Sequence, residues 1–158
     1  MKRTAFLLCT AALVFTMNIP VFAAQTKAEY KNETAQVRQE LESTGNAIKS
    51  IQQENKEVSS HCSALKKSQK EAGTLKEHKD TWKQVKELKS SVTDIHVSYV
   101  EASGQVRLLK AQARQDVEEG RFDEAASKLN QALEQKKAAL QYMEQIGAVW
   151  DQIDQLIK

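Results

Sequence analysis

The groups able to do chemistry are few and scattered. Histidine occurs at His61, His78 and His96, and Cys62 sits beside the first of them. Histidine and cysteine make a zinc-ligand set when their spacing brings the donors to one point. Neighbours on a helix point about 100° apart, so His61 and Cys62 diverge. No His-x-x-x-His, Cys-x-x-Cys or Glu-x-x-His spacing accompanies them, and neither a glycine-rich phosphate loop nor a Gly-x-Ser-x-Gly turn occurs. Catalysis needs convergent polar groups. The expectation is a chain that is not an enzyme and takes no metal and no cofactor.

The remaining chemistry is charge. Between Lys66 and Lys89 there are eight lysines against four acids, and between Asp116 and Glu134 six acids against Arg121 and Lys128. Lys66, Lys67, Lys70, Asp123 and Glu124 complement helix dipoles. Lys76, Lys79, Lys83 and Lys86 do not, because they come just after a predicted helix start, where the dipole disfavours cations. Their spacing of three and four places them on one ridge. The candidate binding site is therefore a basic tip of Lys66, Lys67, Lys70, Lys76, Lys79, Lys83 and Lys86, with an acidic region at the opposite end. A solvated face is the competing reading of the same residues.

These groups must be positioned by helices. After Pro20 the chain has no proline, few glycines and abundant Gln, Lys, Glu and Ala, a composition of long helices. Val37, Leu41, Thr44, Ile48, Ile51, Asn55, Val58, Cys62, Leu65, Gln69 and Ala72 alternate by four and three, which makes one heptad seam. Cys62 is expected to be buried there. Asn55 either sets the register or lies at a wet margin of the seam. Gly73 is read as the helix stop, and Thr74 with Glu77 as a capping box for the next helix. A second stripe runs from Trp82 and Val85 to Ala113, interrupted by Gly104, where close approach of another helix is expected. A third, wider stripe runs from Phe122 to Ile157. The expected fold is all-α: an elongated antiparallel three-helix bundle of coiled-coil type. Its helices cover about 27–72, 75–119 and 121–157, on the order of 60 Å long.

Compartment comes from the first residues. Lys2 and Arg3 precede an uncharged, mostly apolar run from Ala5 to Met17; Pro20 comes next, and Val21-Phe22-Ala23 suits cleavage after Ala23. Residues 1–23 are thus read as a bacterial signal peptide, too short in apolar length for a membrane anchor. No second apolar span occurs after it. The remaining 135 residues hold 21 bases and 21 acids, which is not the composition of a nucleic-acid binder. Cys62 is the only cysteine among them, so no internal disulfide can form.

Gly120, Phe122, Ala125, Leu129 and Ala132, with Leu109 and Ala113 upstream, resemble the turn and second helix of a tetratricopeptide repeat over about 109–132. Gln112 and Asp116 stand where that motif has apolar or aromatic residues, and Lys137 replaces its closing proline. No second copy occurs about 34 residues away, and peptide grooves need stacked copies. The resemblance implies one helical hairpin corner. The expected role is an extracytoplasmic interaction module whose partner is an unknown protein or an anionic envelope surface, with weak self-association between opposite ends. The alternatives are a periplasmic holdase-like chaperone and, second, binding of a polyanion or wall polymer through the basic tip. In size, export and helicity the chain is similar to the small Skp-type chaperones, although their strand-forming segments are missing and its apolar stripes suffice only to cover one another.

Overall fold

The computed structural model describes residues 26–158, and the signal peptide expected at 1–23 lies outside them. Four helices form: α1 (Lys27–Glu33), α2 (Ala35–Glu71), α3 (Lys79–Glu118) and α4 (Phe122–Ile157), with a 3-10 turn at Thr74–Lys76 and no strand among the described residues. The helix expected over 27–72 is thus interrupted once. Thr34 has φ −89° and ψ 3°, and its hydroxyl donates to Tyr30 O at 2.7 Å. Such back-bonding from a threonine disturbs the ladder without ending the helix; Arg38 N still donates to Thr34 O at 3.0 Å. The bend carries Tyr30 inward against Phe122 at the start of α4, ring centroids 6.0 Å apart.

The expected capping box at Thr74 is absent. Gly73, at φ 75°, precedes the 3-10 turn, the Thr74 hydroxyl donates back to Gln69 O at 3.4 Å, and α3 begins at Lys79 without a side-chain cap. The tight turn takes up Thr74 to Lys76 before the long helix can start. A capping box forms at the head of α1, where the Thr26 hydroxyl accepts from Glu29 N at 3.2 Å and the Glu29 carboxylate accepts from Thr26 N at 2.9 Å.

Helix α4 packs along both α2 and α3, whereas α2 and α3 rarely approach each other closely. The pairs Glu40–Lys137, Ile51–Gly147 and His61–Asp154 advance together along α2 and α4. Gln52–Tyr99 and Gln69–Trp82 advance in opposite senses along α2 and α3. Three apolar clusters succeed one another down the rod, centred on Leu129 and Leu133, on Ile48 and Met143, and on Cys62 and Ile153. Leu129, Ala132, Ala139, Met143, Ile146 and Ile153 of the third stripe are buried, as are Leu41, Ile48 and Cys62 of the first.

Two expectations about α3 fail. No Cβ neighbour lies within 4 Å of Gly104, and the residue is exposed. It falls between Ala102 and Val106, which point inward, and so faces away from α4. Close approach occurs instead at Gly147, where an added Cβ would meet Ile51 Cγ2 at 3.2 Å and Asn55 Oδ1 at 3.8 Å. Nor do the stripes cover all apolar surface. Val97, Val100 and Leu108 are 57%, 55% and 50% exposed on the outer side of α3, at steps that flank Gly104.

Candidate binding site

The seven lysines of the expected tip gather at the α2–α3 corner, and all are exposed. They are not equivalent. Lys66 Nζ lies 5.4 Å from the centre of the Trp82 ring, which uses its charge in a cation–π contact. Lys67 Nζ is 3.9 Å from Glu71. Lys70, Lys76, Lys79, Lys83 and Lys86 take part in none of the ion pairs among the described residues. Lys79, Lys83 and Lys86 share one face of α3, while Lys76 stands apart in the 3-10 turn.

The opposite end is not a plain acidic surface. Asp116 is only 1% exposed. Its carboxylate accepts from Lys128 Nζ and from Arg121 Nη2, with Arg121 Nε at 3.1 Å. The Lys128 hydrogen bond, then that of Arg121, holds this carboxyl below its ordinary range against the opposing effect of burial. Glu119 is bound by Arg121. Two of the six acids expected here, Asp116 and Glu119, are thus taken up by Arg121 and Lys128, while Glu118, Glu119, Asp123, Glu124 and Glu134 stay exposed. The backbone closes it as a Schellman motif: Arg121 N donates to Asp116 O at 2.8 Å and Gly120 N to Val117 O at 3.3 Å.

Sequence reasoning missed a second basic feature. Toward the α1 end, α1 and α2 diverge from α3 and leave a groove of about 850 Å³, with Leu129 of α4 among its lining residues. Tyr30, Leu41, Ala113 and Val117 provide apolar surface; Lys27, Lys31 and Arg38 stand on one wall and Lys110 and Arg114 on the other, against Glu42 and Glu118. Arg38 is held by neutral partners, its Nε 3.1 Å from Thr34 Oγ1 and its Nη2 3.0 Å from the Tyr30 hydroxyl. Burial, opposed by Arg38, raises the Tyr30 pKa, so the phenol stays neutral. Adjacent to Lys110, the half-buried Lys136 of α4 has its ammonium pKa lowered by desolvation and by Lys110, Lys49 and Arg107. Run-based charge counting could not find these cations, since they come from three helices. Small residues flanked by cations were the signal: Ala35 between Lys31 and Arg38, Ala113 between Lys110 and Arg114.

Cys62 is buried, and its neighbour His61 is exposed with Nδ1 3.7 Å from Asp154 Oδ1. The two diverge as their adjacency requires. Among the described residues, no three His, Cys, Asp or Glu side chains are grouped as a metal site, and no helix is long and apolar enough to cross a membrane. No protein-family model matches the chain, and neither a curated protein nor a solved structure does.

Proposed function

We propose that this is an exported bacterial protein that works by binding and without catalysis, an elongated antiparallel three-helix bundle of coiled-coil type. Its α2–α3 corner attaches it to an anionic partner or envelope surface. In this reading residues 109–132 are a bundle corner, not a peptide-binding repeat. The observation that supports it most is the set of five exposed lysines, Lys70, Lys76, Lys79, Lys83 and Lys86, without acidic partners at one end of a bundle whose residues 24–158 are charge-balanced as a whole. A potential of this kind acts over about 8 Å at physiological salt, so attraction is local to that end. Binding to vesicles rich in phosphatidylglycerol, or to an isolated anionic wall polymer, is expected to weaken as salt rises. It is expected to be lost in the triple variant Lys76→Glu, Lys79→Glu, Lys83→Glu with helicity kept. Equal binding by wild type and triple variant at low salt would reduce the corner to a solvated face.

The holdase alternative draws on a different observation, the exposed Val97, Val100 and Leu108. A chaperone of this type would suppress aggregation of an unfolded client at equimolar concentration. It would lose that ability when these three residues become serine.

A further inference from the structure

We infer that the groove between α1/α2 and α3 is a docking site for an acidic amphipathic helix of another protein. This site is separate from the lysine corner and does not rest on it. Three observations carry the inference.

The first is the packing. Helix α4 packs closely on both α2 and α3, while the backbones of α2 and α3 stay farther apart and are bridged by side chains such as Gln52–Tyr99 and Gln69–Trp82. Toward α1 a groove remains between them that a fourth helix would fill. Its lining includes two small residues, the exposed Ala35 at the start of α2 and the buried Ala113 of α3. From Lys27 to Glu42 the groove runs along about 20 Å of helix, close to four turns of an occupant.

The second is charge. Five cations line the groove against two carboxylates, and the cations occupy both walls. Beside Lys110 the half-buried Lys136 also feels Lys49 and Arg107, and no carboxylate pairs with Lys136 among the described residues. Assembling like charges beside apolar surface is unfavourable in the free protein. It becomes favourable when an occupant supplies acids opposite them. An apolar stripe edged by Glu or Asp on both sides meets the partly buried Val117 and the outer edges of the buried Tyr30, Leu41 and Leu129 in the middle, and the cations at the margins.

The third is preorganisation. Thr34 and Tyr30, themselves buried, fix the Arg38 guanidinium through hydroxyl groups that do not neutralise it. The guanidinium also lies 5.3 Å from the centre of the Tyr30 ring, a cation–π contact that orients the charge without neutralising it.

The arrangement disfavours other occupants. A single acyl chain prefers an enclosed slot with charge gathered at its mouth, whereas here charge runs the length of an open trough. Residues 1–25 of the chain contain no acid and carry Lys2 and Arg3, so they repel the walls.

The test uses the chain from residue 24 and a synthetic helical peptide of about 18 residues, about 27 Å long, with a leucine stripe flanked by glutamates. On titration, the methyl resonances of Leu41, Val117 and Leu129 are expected to shift, with affinity falling as salt rises. The variant Lys31→Glu, Arg114→Glu, and separately Ala35→Trp at an exposed groove position, are each expected to weaken binding at least about tenfold, that is 1.4 kcal/mol. The corner triple variant is expected to bind the peptide as wild type does, which separates this site from the surface-attachment reading. Should charge reversal perturb folding, Lys31→Gln, Arg114→Gln is expected to weaken binding several-fold. Equal binding of a lysine-flanked peptide, undiminished affinity in the groove variants, or methyl shifts with oleate but not with the acidic peptide would each overturn the assignment.

Discussion

Gly73 and Gly120 turn the chain with the same left-handed backbone, φ 75° and 77°, yet the corners they make are opposites. At Gly120 a buried carboxylate grips Arg121 and Lys128 and two backbone bonds close the turn. At Gly73 the chain passes through a 3-10 turn, its threonine hydroxyl reaches only Gln69 O, and of the lysines around it only Lys67 pairs with an acid, the exposed Glu71. The glycine supplies conformation in both cases. Neighbouring side chains decide the rest: Asp116 and Lys128 make one corner a lock, while Lys76 and Lys79 at the other are exposed and enter no ion pair among the described residues.

The largest effect expected from this difference is at Asp116. Replacement by Ala leaves two cations facing buried space and is expected to lower Tm on the order of 10 °C. Lys70→Ala at the other corner should leave Tm within about 1 °C. The lock should also be sensitive to acid. Asp116 has a folded pKa below its ordinary value of 3.8, so its contribution is complete above that value and disappears as pH falls through the lower folded one. Melting curves of wild type and Asp116→Asn should therefore converge in strong acid. Curves that stay equally far apart at every pH would mean the carboxylate acts by shape and not by charge.

Gly120→Ala and Gly73→Ala test the part the corners share. Neither Cβ would meet an atom within 4 Å, so each loss is backbone strain alone, about 1–2 kcal/mol. Chemical denaturation should give losses within about 0.5 kcal/mol of each other. A much smaller loss at Gly73 would show that the first corner relaxes into another turn.

A third measurement extends the contrast between contact and backbone to the helices. Gly147→Ala drives a methyl to 3.2 Å from Ile51 Cγ2 and is expected to destabilise by about 1 kcal/mol. Gly104→Ala meets nothing within 4 Å and is expected to stabilise by about 0.5–1 kcal/mol. The smallest effect is expected at Lys136. Changing it to Met removes a half-buried cation from three others and should raise stability by about 0.5 kcal/mol.

Helix content and both corners were legible because heptad steps and left-handed glycines are local signals. Gly73 and Gly120 mark the ends of α2 and α3, and Cys62 lies buried where the seam put it. The break at Thr34 was not legible, since any seam threonine can turn its hydroxyl back on its own helix. Gly104 misled because a glycine inside a stripe reads as a contact, whereas its direction depends on which flanking residues point inward. The basic corner was visible as a run of lysines. The groove was not, because Lys31, Arg38, Lys110, Arg114 and Lys136 become neighbours only after α4 has drawn α2 and α3 to its two sides.

That central place of α4 has a consequence for the order of assembly. During synthesis α2 and α3 emerge before α4, and their backbones lie close to α4 and seldom to each other, with side chains such as Gln52–Tyr99 and Gln69–Trp82 bridging the two. The α3–α4 hairpin closes the shorter loop and should form before α2 docks. Until residues 122–157 have appeared, every one of the three apolar clusters lacks its α4 share, so none of them can be completed.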